Sequence, residues 1–391
     1  MATSKHLNEV GLVRAMAIIG VLMVHSTSSA VGQSIGTSAL PVYNFLNIFF
    51  KFGTPTFIFL SSFVLFYNYY NRPFSKETLF RFYKNRLFYI ILPYAAFSAI
   101  YFTLKNYKTF GVNAKSYTIN KFLDQLLWGN AHDHLYFVFI SIQFYFMFPL
   151  FLYFFQKVRF ARITSVLLGF AVQWSFIYLN KHYFHIVSKG SVSFSYMAYF
   201  FLGVFLGIYF DQVKDWIIIR KENFKSLKGV VWLSVIALWI IAAYLYVALW
   251  YGTRATGAWK NNLYYEAYWN FHTFISAIML FQLAFVIYRN APRWIVRVML
   301  HLASVSFGVY LFHPIVLRFY RNFQPAKEGI VFHLWVAGGF LCALSISWLV
   351  VWLGSKVKFS WLLFGNITGS SRKRTKKEPA VVTAQGTTHA Q

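Results

Sequence analysis

The sequence predicts an all-α integral membrane protein of about ten transmembrane helices with both termini in the cytoplasm, and three observations carry the prediction. Of 391 residues, 58% are hydrophobic and only 12% charged, against roughly 25% charged in an average soluble domain. The apolar residues form continuous runs of about 20, the length that crosses a bilayer as a helix, without the alternation of a β-barrel. The basic residues sit in short segments between the runs, and more of them in every second segment.

The runs fall near residues 11–30, 45–69, 87–104, 134–155, 163–179, 194–210, 230–250, 269–288, 300–320 and 331–353. The first (VGLVRAMAIIGVLMVHSTSSA) has small residues, Ser28 and Ala30, that would suit a leader-peptide cleavage site. Arg14 within the run is wrong for such a leader, so it reads as a retained span. A basic loop over 70–86 separates the second run from the third. Residues 105–133 form the longest outer loop, and KFLDQLLW within it suits a short amphipathic helix able to cap an opening. The ninth run contains Pro314, which removes a helical hydrogen bond and frees the carbonyl of Tyr310. After residue 355 the chain ends in SRKRTKKEPAVVTAQGTTHAQ, basic and then polar, as expected of a disordered tail on an anionic cytoplasmic leaflet. The expected organisation is a membrane domain over 1–355 and a tail over 356–391.

With the N-terminus inside, the inner segments hold 24 Lys and Arg and the outer segments 11. That asymmetry orients the chain. It also accounts for the net charge of +27, which in a soluble protein would suggest a nucleic-acid partner; none is expected here. The single cysteine, Cys342, lies in an apolar run, so no disulfide framework, thiolate metal site or cysteine nucleophile is expected. No internal repeat or phosphate-cradling glycine loop points to a nucleotide-driven pump, and the paired broken helices that mark many secondary transporters are not seen. Trp128, Trp250, Trp259 and Trp269 fall near outer interfaces, where tryptophan belts form.

An ionisable residue inside a membrane helix costs a few kcal/mol and so marks function by default. The first span has two, Arg14 and His25. Eleven residues apart, they return to within about 20° of one face and are separated by roughly 16 Å along the axis. Both would face one cavity, the cation toward the cytoplasm and the imidazole beyond the midplane. A histidine so placed can take a proton from an attacking hydroxyl, and the arginine can hold an anionic donor. The bland alternative is a snorkelling Arg14 and a His25 bonded to a carbonyl. Spacing alone names no reaction.

The stretch VRAMAIIGVLMVHS resembles the Arg-x10-His hallmark of the acyltransferase-3 family of membrane acyltransferases. KFGTPTFIFLSSFVLF, FRFYKNRLFYIILPY, HLYFVFISIQFYFMFPLF, SYMAYFFLGVFLG and SVSFGVYLFHP resemble later family segments in the same order and span most of 7–355. Within the family the resemblance runs to the intercellular-adhesin polysaccharide branch, described both as sugar acyltransferases and as exporters. The chain departs from the pattern at Glu9, which is displaced, after Arg14, where no glycine follows, and at Ser61 and Ser62, where the family has Ser-Gly. No attached esterase-like domain, such as some members carry, is expected.

The resemblance implies a multi-pass protein of the bacterial plasma membrane that moves an acyl group, acetyl or succinyl, from cytoplasmic acyl-CoA to a hydroxyl of an extracytoplasmic glycan. Acyl-CoA would be a co-substrate, with no bound cofactor. His25 and Arg14 are the candidate catalytic residues. Arg81, Lys84 and Arg86 are the candidate clamp for the acyl-CoA phosphates, with a topology determinant as the plain alternative. His134, His313 and Tyr310 are candidate acceptor or cavity residues. His132 and His134, two apart at the start of a helix, should point away from each other, so no metal site is expected. Expected partners are membrane lipid, the glycan acceptor and, in the export branch, polysaccharide synthase proteins. The competing reading is an exporter or flippase of a surface polysaccharide; a weaker one is a scaffold for a synthase.

Overall fold

The computed structural model describes residues 7–106, 118–326 and 329–365, and among these the chain is helical without a β-strand. The helices in chain order are α1 (Asn8–Gln33), α2 (Leu40–Phe49), α3 (Gly53–Tyr69), α4 (Lys76–Arg86), α5 (Leu92–Asn106), α6 (Ile119–Leu127), α7 (Tyr136–Lys157), α8 (Arg159–Ile163) and α9 (Ser165–Leu179). They continue as α10 (Met197–Ile217), α11 (Leu227–Thr256), α12 (Asn262–Asn290), α13 (Arg293–Tyr320), α14 (Ile330–Gly354) and α15 (Trp361–Phe364).

Among the described residues nine helical segments are long and apolar enough to cross a membrane. Two of them join consecutive helices: α2 runs into α3 through a 3-10 turn at Phe50–Phe52, and α4 into α5 through a π-helical turn at Leu87–Ile91. The remaining expected span, 163–179, forms α9, fifteen residues prolonged by the π-helical turn Asn180–Phe184. Two expectations need correction. Much of the basic loop expected over 70–86 is helix, so Arg81, Lys84 and Arg86 ride on α4. The tail does not begin at 356: α15 folds back beneath α5 and α13, and Phe364 is buried. An aromatic anchor, which the basic residues further on obscure, holds this segment. The rest of the tail, 366–391, lies outside the described residues, as does the 107–117 part of the outer loop. The amphipathic segment of that loop does form α6, with the Thr118 side chain accepting from the Lys121 amide.

The two described ends of the chain lie at one face of the bundle: the Asn8 amide donates to the Tyr288 hydroxyl at the end of α12, and α15 sits by the start of α5. The centre is built by α1, α3, α10 and α13. Most of one turn after another of α10 is buried, whereas α11 and α14 turn leucine, isoleucine and valine outward, as helices at a lipid boundary do. The tightest helix pair is α3 with α10. A Cβ on Gly203 would stand 2.5 Å from the Phe59 carbonyl oxygen, and one on Gly207 2.8 Å from that of Phe63. The Gly-x3-Gly spacing therefore lets the two backbones touch. The small surface of this contact lies on α10, at Gly203 and Gly207, while α3 carries Ser61-Ser62. Around this contact Phe59, Phe63, Phe210 and Phe281 meet mostly edge to face, a geometry that adds to area burial.

Candidate active site

The axis of the site is the parallel pair α1 and α13. Arg14, about two turns into α1, faces a cavity of about 210 Å³ lined also by Ser61 and Val64 of α3, Arg86, Ser141 and Tyr145 of α7, and Ser306 and Tyr310 of α13. Arg86 is held by stacking, its guanidinium carbon 4.9 Å from the centre of the Tyr145 ring, and the Tyr145 and Ser61 hydroxyls are 3.1 Å apart. Among the described residues no carboxylate pairs with Arg14 or Arg86. Two permanent cations without a counter-anion in one small cavity make a site for a negatively charged or polarised group.

Arg86 and Tyr145 also form the wall of a second, apolar groove of about 490 Å³ that reaches Phe80, Tyr83 and Lys84. Lys84 and Phe80 in turn border a surface recess with Lys76 and Arg81. The three basic residues named from the sequence therefore stand in order along a route: Arg81 at the surface, Lys84 between recess and groove, Arg86 between groove and inner cavity. The helical spacing of α4, continued through the π-helical turn into α5, sets this order.

The inner cavity stops at Tyr310, and on the far side of Tyr310 lies a cluster of imidazoles. The ring of His25 is 5.1 Å from that of His313 and 6.5 Å from that of His134, centre to centre, and the rings of His134 and His313 are 5.6 Å apart. Tyr310 touches both His134 and His313, and its hydroxyl donates to the backbone carbonyl of His134. His134, Tyr310 and His313 are fully buried, whereas His25 is partly accessible. Arg321, just past the C-terminal end of α13, donates to the His25 carbonyl oxygen (2.7 Å) and to the Ser28 hydroxyl (3.1 Å).

Hydrogen bonding fixes one tautomer. Nδ1 of His313 lies 3.1 Å from the Val309 carbonyl oxygen, which can only accept, so Nδ1 carries the proton and Nε2 of the neutral ring keeps its lone pair. That Nε2 is buried without a hydrogen-bond partner.

Arg14 and His25 share a face of α1 as their spacing required, but the cavity lined by Arg14 does not reach His25: the two are divided at Tyr310. His132 and His134 also differ from expectation. α7 starts only at Tyr136, and in the turn before it the two rings converge, Nδ1 to Nδ1 at 2.9 Å, so the helical argument that they point apart does not apply. Their facing nitrogens are used on each other. Burial holds His132 below the usual histidine range, against the attraction of Asp133. Among the described residues no group of three or more His, Cys, Asp or Glu is placed to hold a metal.

Sequence reasoning missed Tyr145, Ser61 as a cavity residue, and Tyr101, whose ring lies 4.4 Å from His132 and whose hydroxyl donates to the Leu311 carbonyl oxygen (2.7 Å). Tyrosines are too numerous in this chain, 27 of them, for any one to stand out by type.

Comparison with known proteins gives a family match and a group of named relatives. The family described as Acyltransferase domain matches residues 7–352. A protein of Staphylococcus aureus (strain MSSA476), named "Probable poly-beta-1,6-N-acetyl-D-glucosamine export protein", is 24% identical over 323 residues, 78% of this chain and 80% of the relative. A Staphylococcus epidermidis protein of the same name is 22% identical over 328 residues, 79% of this chain and 81% of the relative. No solved structure matches.

Proposed function

The chain belongs to the Acyltransferase domain family, and from that premise we propose that it moves an acyl group from acyl-CoA, bound at the face bearing the chain ends, to a glycan hydroxyl presented at the opposite face. The first face is taken as cytoplasmic, on the charge asymmetry of the segments. The observation that carries the reading is the route from Arg81 through Lys84 and Arg86 to Arg14, closed at its inner end by a tyrosine that touches the histidine cluster.

On this reading the phosphates of the donor meet Arg81 and Lys84, and its thioester end lies against Arg14 and Arg86, which stabilise the charge that develops on the carbonyl oxygen. With Tyr310 swung aside to join the donor cavity to the histidine cluster, the acceptor hydroxyl gives its proton to the His25 imidazole as its oxygen bonds to the acyl carbon. The tetrahedral intermediate then loses its C–S bond, and the departing thiolate recovers a proton from the imidazolium. The Nε2 lone pair of His313, beside the His25 ring, favours the imidazolium while it exists. Acetyl and succinyl are the proposed groups, and the setting proposed is the bacterial plasma membrane.

The names of the relatives favour a second reading, export of a surface polysaccharide, in which Arg14 and the histidines would line a passage. The inner cavity, about 210 Å³ and ending at a hydrogen-bonded tyrosine, is smaller than the roughly 300–1,000 Å³ usual for small-ligand sites. A polymer would need a different conformation to pass. Proteoliposomes loaded with glycan and given labelled acetyl- or succinyl-CoA outside separate the two readings. Labelled glycan inside supports transfer; passage into the lumen of unlabelled glycan added outside supports export.

A further inference from the structure

A second group of charges lies outside the route just described, where the end of α2 meets the outer ends of α11 and α12. Lys51 Nζ lies 4.8 Å from the centre of the Trp250 indole, and the Arg254 guanidinium carbon lies 4.9 Å from the same centre. Two cations so close repel each other, and among the described residues no carboxylate pairs with either. Arg254 is nonetheless held in place: its two terminal nitrogens donate to the side-chain oxygens of Asn44 (2.8 Å) and Asn47 (3.1 Å). Those amides are buried and anchored in turn, Asn44 to the Val247 carbonyl and Asn47 to the Val24 carbonyl and the Thr27 hydroxyl. Val24 immediately precedes His25.

The indole that both cations approach belongs to a three-ring group. Trp250, Trp259 and Tyr265 lie 5.1 to 5.9 Å apart, centre to centre, and Trp259 is 69% exposed. A tryptophan belt explains one exposed indole at an interface. It does not explain two unneutralised cations, one of them fixed by a pair of buried amides, on the same indole. Aromatic faces suit the C–H faces of sugar rings, and paired cations suit a phosphate.

We infer that Lys51, Arg254, Trp250 and Trp259 form a receptor for a phosphate-bearing saccharide, which they hold beside the His25 segment as the acceptor or a part of it. This rests on the acyl-transfer reading for its role and on the geometry alone for its ligand. The phosphate lies between the two cations and relieves their repulsion, and an adjoining sugar covers Trp259.

The test is binding by the full chain in nanodiscs of phosphatidylcholine, with N-acetylglucosamine 1-phosphate, N-acetylglucosamine and inorganic phosphate as probes. The sugar phosphate should bind more tightly than either of the others. Arg254→Gln and Lys51→Gln should each weaken it about tenfold or more, as expected for loss of one charge-assisted hydrogen bond. Trp259→Ala, at a ring that is mostly exposed, should weaken the sugar phosphate and leave inorganic phosphate unchanged. Equal binding of the neutral sugar, or unchanged binding by the Arg254 and Trp259 variants, overturns the receptor. Loss of sugar-phosphate binding on adding phosphatidylglycerol, with inorganic phosphate binding as well as the sugar phosphate, also overturns it and assigns the cations to a lipid headgroup. Acyl transfer is measured alongside. Transfer without preference for phosphorylated acceptors removes the receptor and keeps the transferase, whereas sugar-phosphate binding without transfer to any acceptor does the reverse.

Discussion

Replacing Tyr310 by phenylalanine removes a single oxygen atom and tests the joint between the donor cavity and the histidine cluster. The hydroxyl donates to the backbone carbonyl of His134, and both residues are buried. Without it the carbonyl keeps only the longer bond from the Phe137 amide (3.4 Å), and loss of the tyrosine bond costs about 0.5–1.5 kcal/mol of stability. The ring remains, so its packing on His134 and His313 is kept and no cavity larger than the oxygen is formed. The larger effect falls on catalysis. The turn that carries His134 is tied to α13 by this bond, and a displacement of about 1 Å there costs on the order of 10²-fold in rate. Binding of acyl-CoA at Arg81 and Lys84, beyond the apolar groove, should be unchanged. Thermal unfolding in nanodiscs, acyl-CoA binding and acyl transfer on the same preparation make the comparison. A Tyr310→Phe protein with wild-type melting temperature and wild-type transfer would refute the reasoning; equal loss of acyl-CoA binding and transfer would show that the effect is a general loss of structure.

Further outcomes follow from other parts of the molecule. Arg14→Gln should lower transfer about 10²- to 10³-fold, the usual effect of removing one preorganised donor to a developing oxyanion, with unchanged melting temperature because the guanidinium faces a cavity; undiminished turnover would remove Arg14 from the reaction. The Arg81→Gln, Lys84→Gln double variant should raise KM for acyl-CoA, more so at low salt, and change kcat little, since these groups meet the donor away from the reacting carbon; a fall in kcat alone would contradict that placement. Gly203→Ala puts a methyl 2.5 Å from the Phe59 carbonyl oxygen and should cost about 1–3 kcal/mol, read as a lower melting temperature; no change would mean that α3 and α10 are not in contact. His132 is held below its unfolded value by burial, so the unfolded chain takes up the proton first. Its contribution to stability should be full above about pH 6.5 and fall as the pH drops toward the folded value. His132→Asn should flatten that part of the stability profile, and an unaltered profile would contradict it.

The parts of this fold that sequence displays are those governed by the bilayer. A run such as 331–353 has one physical solution, a spanning helix, and α14 matches it within a residue or two at each end. Run ends are less legible, because polar residues at the interface continue a helix at little cost: α4 extends the third span inward through a charged stretch that by hydropathy reads as a loop. α9 is short because a π-helical turn completes it, and hydropathy does not register such turns. In the site, Arg14, His25 and His313 stood out because ionisable groups are rare and costly within spans. Their division by Tyr310 did not, since the angular position on α1 says nothing about what α13 inserts between them. The contact of His132 with His134 was hidden by a boundary error of four residues, helix expected from 132 and found from Tyr136, enough to turn a diverging helical pair into a converging turn. The Lys51 and Arg254 pair joins residues about two hundred positions apart, and only packing of α2 on α11 brings them to one indole.

The most direct test of acyl transfer through this site is the appearance of label from radioactive acetyl- or succinyl-CoA on glycan, comparing membranes that hold equal amounts of the wild-type chain and of His25→Ala. Labelled glycan with the wild type and none above background with His25→Ala is the result expected. Equal labelling by both proteins, or none by either across several donors and acceptors while glycan still reaches the outside, would contradict it.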